Sequence, residues 1–243
     1  MATHSVLKLT LKVFSAPFVL TSYVIEHLDL WGLKSDLVQC LHVVDAAEMI
    51  PEPFILTLIA AEDHRSALHP GVDLIAIVRA LVVQRTKGHL QGASTIEQQV
   101  VRVTTGYYEK TMRRKLREQM LAVALSRRRS KSRIAAAYLS VAFYGSHKYG
   151  TAALRDACDG DLENASQETI SSMIARLKYP EPLCPSSNWH YKIACRVDYI
   201  SKRLGQSANK AYIDRGRQAD GSPLCQNLIF TLTMNGSRTN GNE

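Results

Sequence analysis

Apolar residues recur at helical spacing along most of this chain. From Glu48 to Leu204 they return every three or four residues, and no sustained alternation of apolar and polar residues bounded by hairpin turns interrupts them. At 243 residues and 46% hydrophobic, the chain is long enough to bury one substantial core. The sequence therefore predicts one main domain that is mostly helical.

Proline, glycine and capping residues divide this pattern into separate helices. Pro51 and Pro53 open an apolar run that ends at Glu62, and Asp73 is placed to cap a helix from Leu74 to Gln84. Further helices are expected from Ser94 and over residues 111–128, 131–144, 167–177 and 192–204. Gly145 is expected to end the helix over 131–144, and a Pro-rich loop is expected at 179–185.

The chain is basic, with 30 Lys+Arg against 22 Asp+Glu and a formal net charge of +8. Such an excess favours an anionic partner, namely phosphate, nucleic acid or an acidic membrane surface. Nucleic acid is disfavoured, because the sequence has neither paired metal-ligand cysteines nor an aromatic RNA-binding strand motif. The five cysteines are scattered, and their odd number excludes a fully paired disulfide framework.

An apolar stretch covers residues 13–25 and follows Lys8 and Lys12. Polar residues interrupt it, and it is shorter than the ~20 apolar residues that a spanning helix normally needs. Three interpretations fit: a membrane anchor whose lysines reach the headgroups, an interfacial helix, or the packed first helix of a soluble domain.

Glu62 stands at the end of a predicted apolar helix, where the helix dipole disfavours a negative charge. Local rules are most often broken at functional sites, so Glu62 is a candidate proton acceptor. The local alternative is an ordinary solvated helix end. The nearby His64 and His69 do not have the spacing of a helix-borne metal pair, and a structural role is expected for both.

The segment from Gly92 to Gln99 supports two interpretations. Ser94 and Glu97 have the spacing of a helix capping box, which is a structural role. Alternatively, a glycine-preceded helix N-terminus offers free backbone N–H groups to a phosphate, with the Ser94 and Gln99 side chains as additional hydrogen-bonding groups. Glu97 would oppose an anion unless its carboxylate turned back into the cap.

Arg114, Lys115 and Glu118 share one face of the predicted helix over 111–128. An ordinary salt-bridge cluster is the plain interpretation, but the favourable order places Glu before the base, and here the bases come first, near a helix start that repels cations. A bound pyrophosphate would explain the excess positive charge. The basic run over 127–133 is expected to be a solvated turn or to face acidic lipid, without a catalytic role.

In order, these segments resemble the motifs of the family 51 glycosyltransferase domain, found in monofunctional peptidoglycan glycosyltransferases and class A penicillin-binding proteins. Glu62-Asp63 with His69 resembles the first motif, and Ser94-Thr95 with Gln98-Gln99 resembles the second. Arg114-Lys115 with Glu118 resembles the third. Ser130-Lys131 through Ile134, with Tyr138-Leu139 to Gly145, resembles the fourth, and Ala175 with Pro180 and Pro185 resembles the fifth. Agreement in five ordered blocks is implausible by chance.

The resemblance implies an all-α, lysozyme-like head with a smaller membrane-proximal jaw, and polymerisation of lipid II onto a lipid-linked glycan strand. Glu62 would be the general base, and Glu118 would be a second catalytic residue that orients the cations or a divalent metal. The substrate-binding residues implied are Asp63, His69, Ser94, Thr95, Gln98, Gln99, Arg102, Arg114 and Lys115. No organic cofactor and no metal ligand is implied, although Mg2+ or Mn2+ can accompany a pyrophosphate.

The resemblance also implies a place at the bacterial plasma membrane, with the catalytic domain on its extracytoplasmic face. The expected divisions are an anchor or interfacial helix over 1–35, the glycosyltransferase domain over 36–215 and a tail over 216–243. Nothing resembling the serine motifs of a transpeptidase follows, so cross-linking is expected to belong to partner transpeptidases.

Four positions depart from the family pattern: Ser66 replaces an aromatic residue, Arg102 a lysine, and Val103 and Ser140 asparagines. The lost amides lie near the expected donor site, which puts efficiency and substrate variant in question. Two rivals remain open, a lysozyme-like glycosidase that uses water as acceptor and a catalytically silent scaffold that binds lipid II.

Overall fold

A computed structural model of the chain describes residues 16–17, 19–24, 27, 32–88 and 92–219, with the backbone alone for 207–219. The helices are α1 Leu33–Ala46, α2 Glu52–Glu62, α3 Leu74–Lys87, α4 Ile96–Thr105, α5 Met112–Arg128, α6 Lys131–Val141, α7 Gly150–Ala157, α8 Gln167–Lys178 and α9 Ser187–Ala219. A short 3-10 turn, Ser66–Leu68, and two strands, β1 Phe143–Gly145 and β2 Lys148–Tyr149, complete the described elements. The predicted mainly α, lysozyme-like class is confirmed.

Helix α6 lies at the centre of the core. Its residues 134–139 are all buried, and α1, α2, α4 and α7 pack against it. Three of those residues are alanines, whose small side chains let neighbouring helices approach on several sides. Helix α5 packs beside α4 and α1 with residues 120–125 buried, so the two helices that carry the basic motif residues rest on the same core.

Side-chain caps begin several of these helices. The backbone N–H of Ala76 donates to the Asp73 carboxylate at 2.9 Å, which confirms the predicted cap of α3. The start of α4 corrects the predicted capping box, because the N-cap is Thr95, whose hydroxyl accepts from the Gln98 N–H at 3.3 Å. Ser94 therefore does not cap this helix.

The helix predicted over 131–144 ends earlier, at Val141. The next residues turn extended and form β1, which pairs antiparallel with β2. Gly145 does not terminate a helix but lets another segment approach closely, since a Cβ there would lie 2.5 Å from the carbonyl oxygen of Glu181. That long-range contact carries no local sequence signal.

The chain divides into two compact units after residue 201. The unit over residues 1–201 contains every element up to the first part of α9, and the unit over 202–243 begins within that helix. The predicted divisions at 35 and 215 stay predictions. Within the apolar stretch over 13–25, the described residues 16–17 and 19–24 are helical and the others lie outside the described residues. Among the described parts of the chain, no helix has the length and apolarity to cross a membrane.

Candidate active site

The C-terminal end of α2 carries two adjacent carboxylates with different surroundings. Asp63 is buried, and one of its oxygens lies 2.9 Å from His69 Nε2. The Gly71 N–H donates to His69 Nδ1 at 3.2 Å, so Nε2 is the protonated nitrogen and donates to Asp63. Asp63 and His69 are therefore bound to each other, and the substrate contact predicted for them stays a prediction.

A second set of bonds ties this turn to the start of α4. The Thr95 hydroxyl donates to the Gly71 carbonyl at 2.7 Å, and the Ile96 N–H approaches the other Asp63 oxygen at 3.4 Å. The side-chain amide of Gln98 also donates to the Gly71 carbonyl, at 3.5 Å. The end of α2 and the N-terminus of α4 are thus held at a fixed separation, which a two-part active site requires.

Gly71 is required for this arrangement. Its φ is +111°, and a Cβ would lie 2.5 Å from the carbonyl oxygen of Ala122 in α5. We expect Gly71→Ala to lower the free energy of unfolding by about 2 kcal/mol or more, measured by denaturant unfolding, because backbone strain and a backbone clash combine. Gly88→Ala is the matched control, since Gly88 also has a positive φ (+65°) but no atom of the described residues lies within 4 Å of its Cβ position. Equal losses in the two variants would contradict a specific clash at Gly71.

Glu62 itself is only partly buried, with 20% of its side chain exposed. Its Oε1 accepts from Arg196 Nη2 at 2.6 Å, whereas Oε2 accepts no hydrogen bond from any described residue. Burial and the charge of Glu62 both raise the pKa of the nearby Tyr138. Glu62 and Ser94 line the same cavity, which places the end of α2 beside the loop before α4.

Glu118 lies at the centre of a cluster of three cations. It is 3% exposed, and Arg102 spans both of its oxygens with two bonds of 3.0 Å. Lys115 Nζ donates to it at 2.7 Å, and Arg114 Nη1 donates as well. Three cations around one carboxylate leave an excess of two positive charges.

The titration of this cluster reflects competition between burial and charge. Burial alone would raise the pKa of Glu118, but hydrogen bonds from Arg102 and Lys115 bring it below its ordinary value. For Lys115 burial is the larger influence and lowers its pKa, against the opposing attraction of Glu118. The predicted one-face cluster on α5 is present, and Arg102 from α4 completes it.

Ser94 connects the cation cluster to the cavity beside Glu62. Its hydroxyl oxygen accepts from Lys115 Nζ at 3.0 Å and from Arg102 Nη2 at 3.2 Å. Lys115 Nζ also donates to the side-chain oxygen of Gln98 at 2.5 Å, while Gln99 is half-buried. Of the predicted substrate-binding residues, the structure therefore brings Ser94, Gln98, Arg102 and Lys115 into direct contact.

Two features of the site were missed at the sequence level. Glu97 is buried at 1% and pairs with Lys131 from the predicted solvated turn, so its charge is neutralised rather than turned back into the cap. Arg196 had no predicted role, although it lies three residues after Ile193 and four before Ile200, both buried. A charge on the apolar face of a helix was the available signal.

The described residues fit a divalent metal poorly. Asp63, His69 and Glu97 hold ligand atoms within 4.8 Å of one another. Asp63 and His69 are hydrogen-bonded to each other, however, and Lys131 pairs with one oxygen of Glu97, while the other oxygen is buried without a hydrogen-bond partner among the described residues. Glu118 has cations on both oxygens, whereas Mg2+ prefers free oxygen ligands in an octahedron. Neither group offers such a set.

Comparison with known proteins identifies the family. A family model described as Transglycosylase matches residues 38–205. The chain belongs to the transglycosylase family. Penicillin-binding protein 1A of Rickettsia prowazekii is 34% identical over 186 residues, and the match covers 72% of this chain and 23% of that protein. The corresponding protein of Haemophilus influenzae is 38% identical over 168 residues, which cover 68% and 19%.

This transglycosylase chain spans less than a quarter of the length of those relatives. Its four departures from the family pattern have different consequences in the structure. Arg102 contacts the two oxygens of Glu118 with two separate nitrogens, whereas a lysine has only one nitrogen to offer, and Ser140 donates to the Ala136 carbonyl within its own helix at 2.9 Å. Ser66 is buried in the 3-10 turn, and Val103 is half-buried in α4.

Proposed function

We propose that this chain is a peptidoglycan glycosyltransferase that polymerises lipid II, with Glu62 as the general base. The observation that carries the proposal is the contrast between its two candidate carboxylates. Among the described residues, none donates a hydrogen bond to the second oxygen of Glu62, which lines a cavity with Ser94, whereas both oxygens of Glu118 receive cations. A general base needs an accessible oxygen, and Glu62 has one.

The cation cluster supports a pyrophosphate leaving group. Arg102, Arg114 and Lys115 exceed the charge of Glu118 by two, and their side chains are 16–30% exposed. A pyrophosphate develops negative charge as its bond to the sugar breaks, and pre-organised cations stabilise that charge. Glu118 would then act by holding the three cations in place.

The chemical step follows from this division of roles. Glu62 takes the proton of the acceptor 4-hydroxyl, whose oxygen attacks the anomeric carbon of the donor. The bond from that carbon to the undecaprenyl pyrophosphate breaks with its electron pair on the phosphate oxygen, which gives a β-1,4 linkage with inversion. The acceptor oxygen attacks from the side of Glu62, and the pyrophosphate departs toward the cations. The base and the cation cluster must therefore lie apart at a fixed distance, which the hydrogen bonds through Gly71 and Thr95 favour.

Membrane attachment is part of the proposal. The surface of α3 exposes Val78, Leu81 and Val82, a stripe at helical spacing, with Arg85 in the last turn. An exposed apolar stripe next to basic residues fits an interfacial helix on an acidic lipid surface. Such contact would bring the site to a lipid-linked substrate, and the proposal includes the extracytoplasmic face and partner transpeptidases that the family resemblance implies.

Incubation of the full chain with labelled lipid II tests this function. We expect long strands that a muramidase degrades, because the site pairs a base with a pyrophosphate-binding cluster. A glycosidase would shorten existing strands without elongation, and a lipid II-binding scaffold would bind without turnover. Either result would overturn the proposal. The glycosidase is disfavoured because hydrolysis has no use for the three cations around Glu118.

A further inference from the structure

Arg196 reaches from α9 to the end of α2. Its Nη2 donates to Glu62 Oε1 at 2.6 Å and to the Ala61 carbonyl at 3.0 Å. We propose that Arg196 is a positioning residue that holds one oxygen of Glu62 and leaves Oε2 as the proton acceptor. This role rests on the proposed function, since it assumes that Glu62 is the base.

The position of Glu62 explains why such a partner is needed. The last carbonyls of a helix lack intrahelical partners and carry partial negative charge, which repels a carboxylate at the same end. Arg196 places one cation against both the Ala61 carbonyl and the carboxylate. It thereby offsets the repulsion and restricts the rotation of a side chain with three flexible bonds.

Arg196 is itself held firmly. Its side chain is 10% exposed, its guanidinium carbon lies 4.7 Å from the Tyr199 ring centroid, and Ile193 and Ile200 are buried on the same helix face. Its Nε is buried without a hydrogen-bond partner among the described residues. An unsatisfied buried donor is costly, and such costs persist mainly where function requires the geometry.

Glu118 and Glu62 differ in how many of their carboxylate oxygens are bound by cations. The cations around Glu118 bind both of its oxygens, whereas Arg196 binds a single oxygen of Glu62. One partner on one oxygen orients a carboxylate without blocking it. Removal of Arg196 should therefore slow the chemical step while leaving the pyrophosphate-binding cluster, and with it most lipid II binding, intact.

The test measures lipid II polymerisation by Arg196→Met, Arg196→Lys and Arg196→Ala. We expect kcat to fall about 10- to 100-fold in the Met variant with a change in KM of less than about threefold, because the lost contact acts on the base. The Lys variant should retain an intermediate rate. Guanidinium ion should restore part of the rate of the Ala variant, an effect that simple loss of stability does not produce.

Arg176→Met is the matched control. Arg176 is 18% exposed and pairs with Glu181 outside the site, so its loss should leave kcat unchanged and unresponsive to guanidinium. A wild-type kcat in Arg196→Met, or equal losses in both variants with no rescue, would overturn the role of Arg196 alone. Absence of polymer from the wild-type protein would overturn the proposed function and this role with it.

Discussion

Glu62→Gln is expected to abolish polymerisation of lipid II while the fold is kept. The amide has nearly the same shape, and its oxygen can still accept the hydrogen bond from Arg196, but it is unable to take a proton. Loss of a general base costs about 10²- to 10⁴-fold in rate. The measurement is the initial rate of strand formation from labelled lipid II, with circular dichroism and the thermal midpoint recorded on the same samples.

Glu52→Gln is the control for this variant. Glu52 is exposed at the other end of α2, so the same chemical change there should leave the rate unaltered. Retained lipid II binding by Glu62→Gln would separate the loss of chemistry from the loss of the site. A wild-type rate in Glu62→Gln would remove Glu62 from the role of base, whatever the activity of the protein.

The helices of this chain were predictable because their signals are local. Spacing of apolar residues and the Asp73 cap depend on neighbours within one or two turns, and the structure confirms both. The error at Ser94 has a local cause as well, since Ser94 and Thr95 are both good caps. A distant contact decides between them, because the Thr95 hydroxyl also donates to the Gly71 carbonyl.

The candidate site was only half predictable for the same reason. Arg114, Lys115 and Glu118 lie within one turn of α5, so their association could be expected from spacing. The pairs Arg196–Glu62 and Lys131–Glu97 join residues far apart in the sequence. Helical periodicity places each on a face of its helix but does not say which helix that face meets.

Glu118→Gln is expected to destabilise the protein and slow its turnover. The side chain is 3% exposed and balances three cations, so removal of its charge leaves them repelling one another. Removing one partner of a buried ion pair lowers the free energy of unfolding by about 3 kcal/mol or more. We expect the lower figure here, because the cations are partly exposed. Denaturant unfolding at pH 7 measures the loss. Inorganic pyrophosphate should stabilise this variant more than the wild type, since three positive charges then lack a carboxylate.

The pH dependence of that loss identifies its cause. Since the cations hold the pKa of Glu118 below its ordinary value near 4.5, the carboxylate contributes stability that is fully present above that value and is lost as the pH falls through the lower, folded-state pKa. The difference between wild type and Glu118→Gln should therefore be largest at neutral pH and shrink in acid. Glu181→Gln is the control, since Glu181 pairs with Lys148 and Arg176 outside the site and should lose stability without a change in its response to pyrophosphate. A pH-independent loss in Glu118→Gln would show that packing, rather than the charge at the centre of the cluster, holds Arg102, Arg114 and Lys115 together.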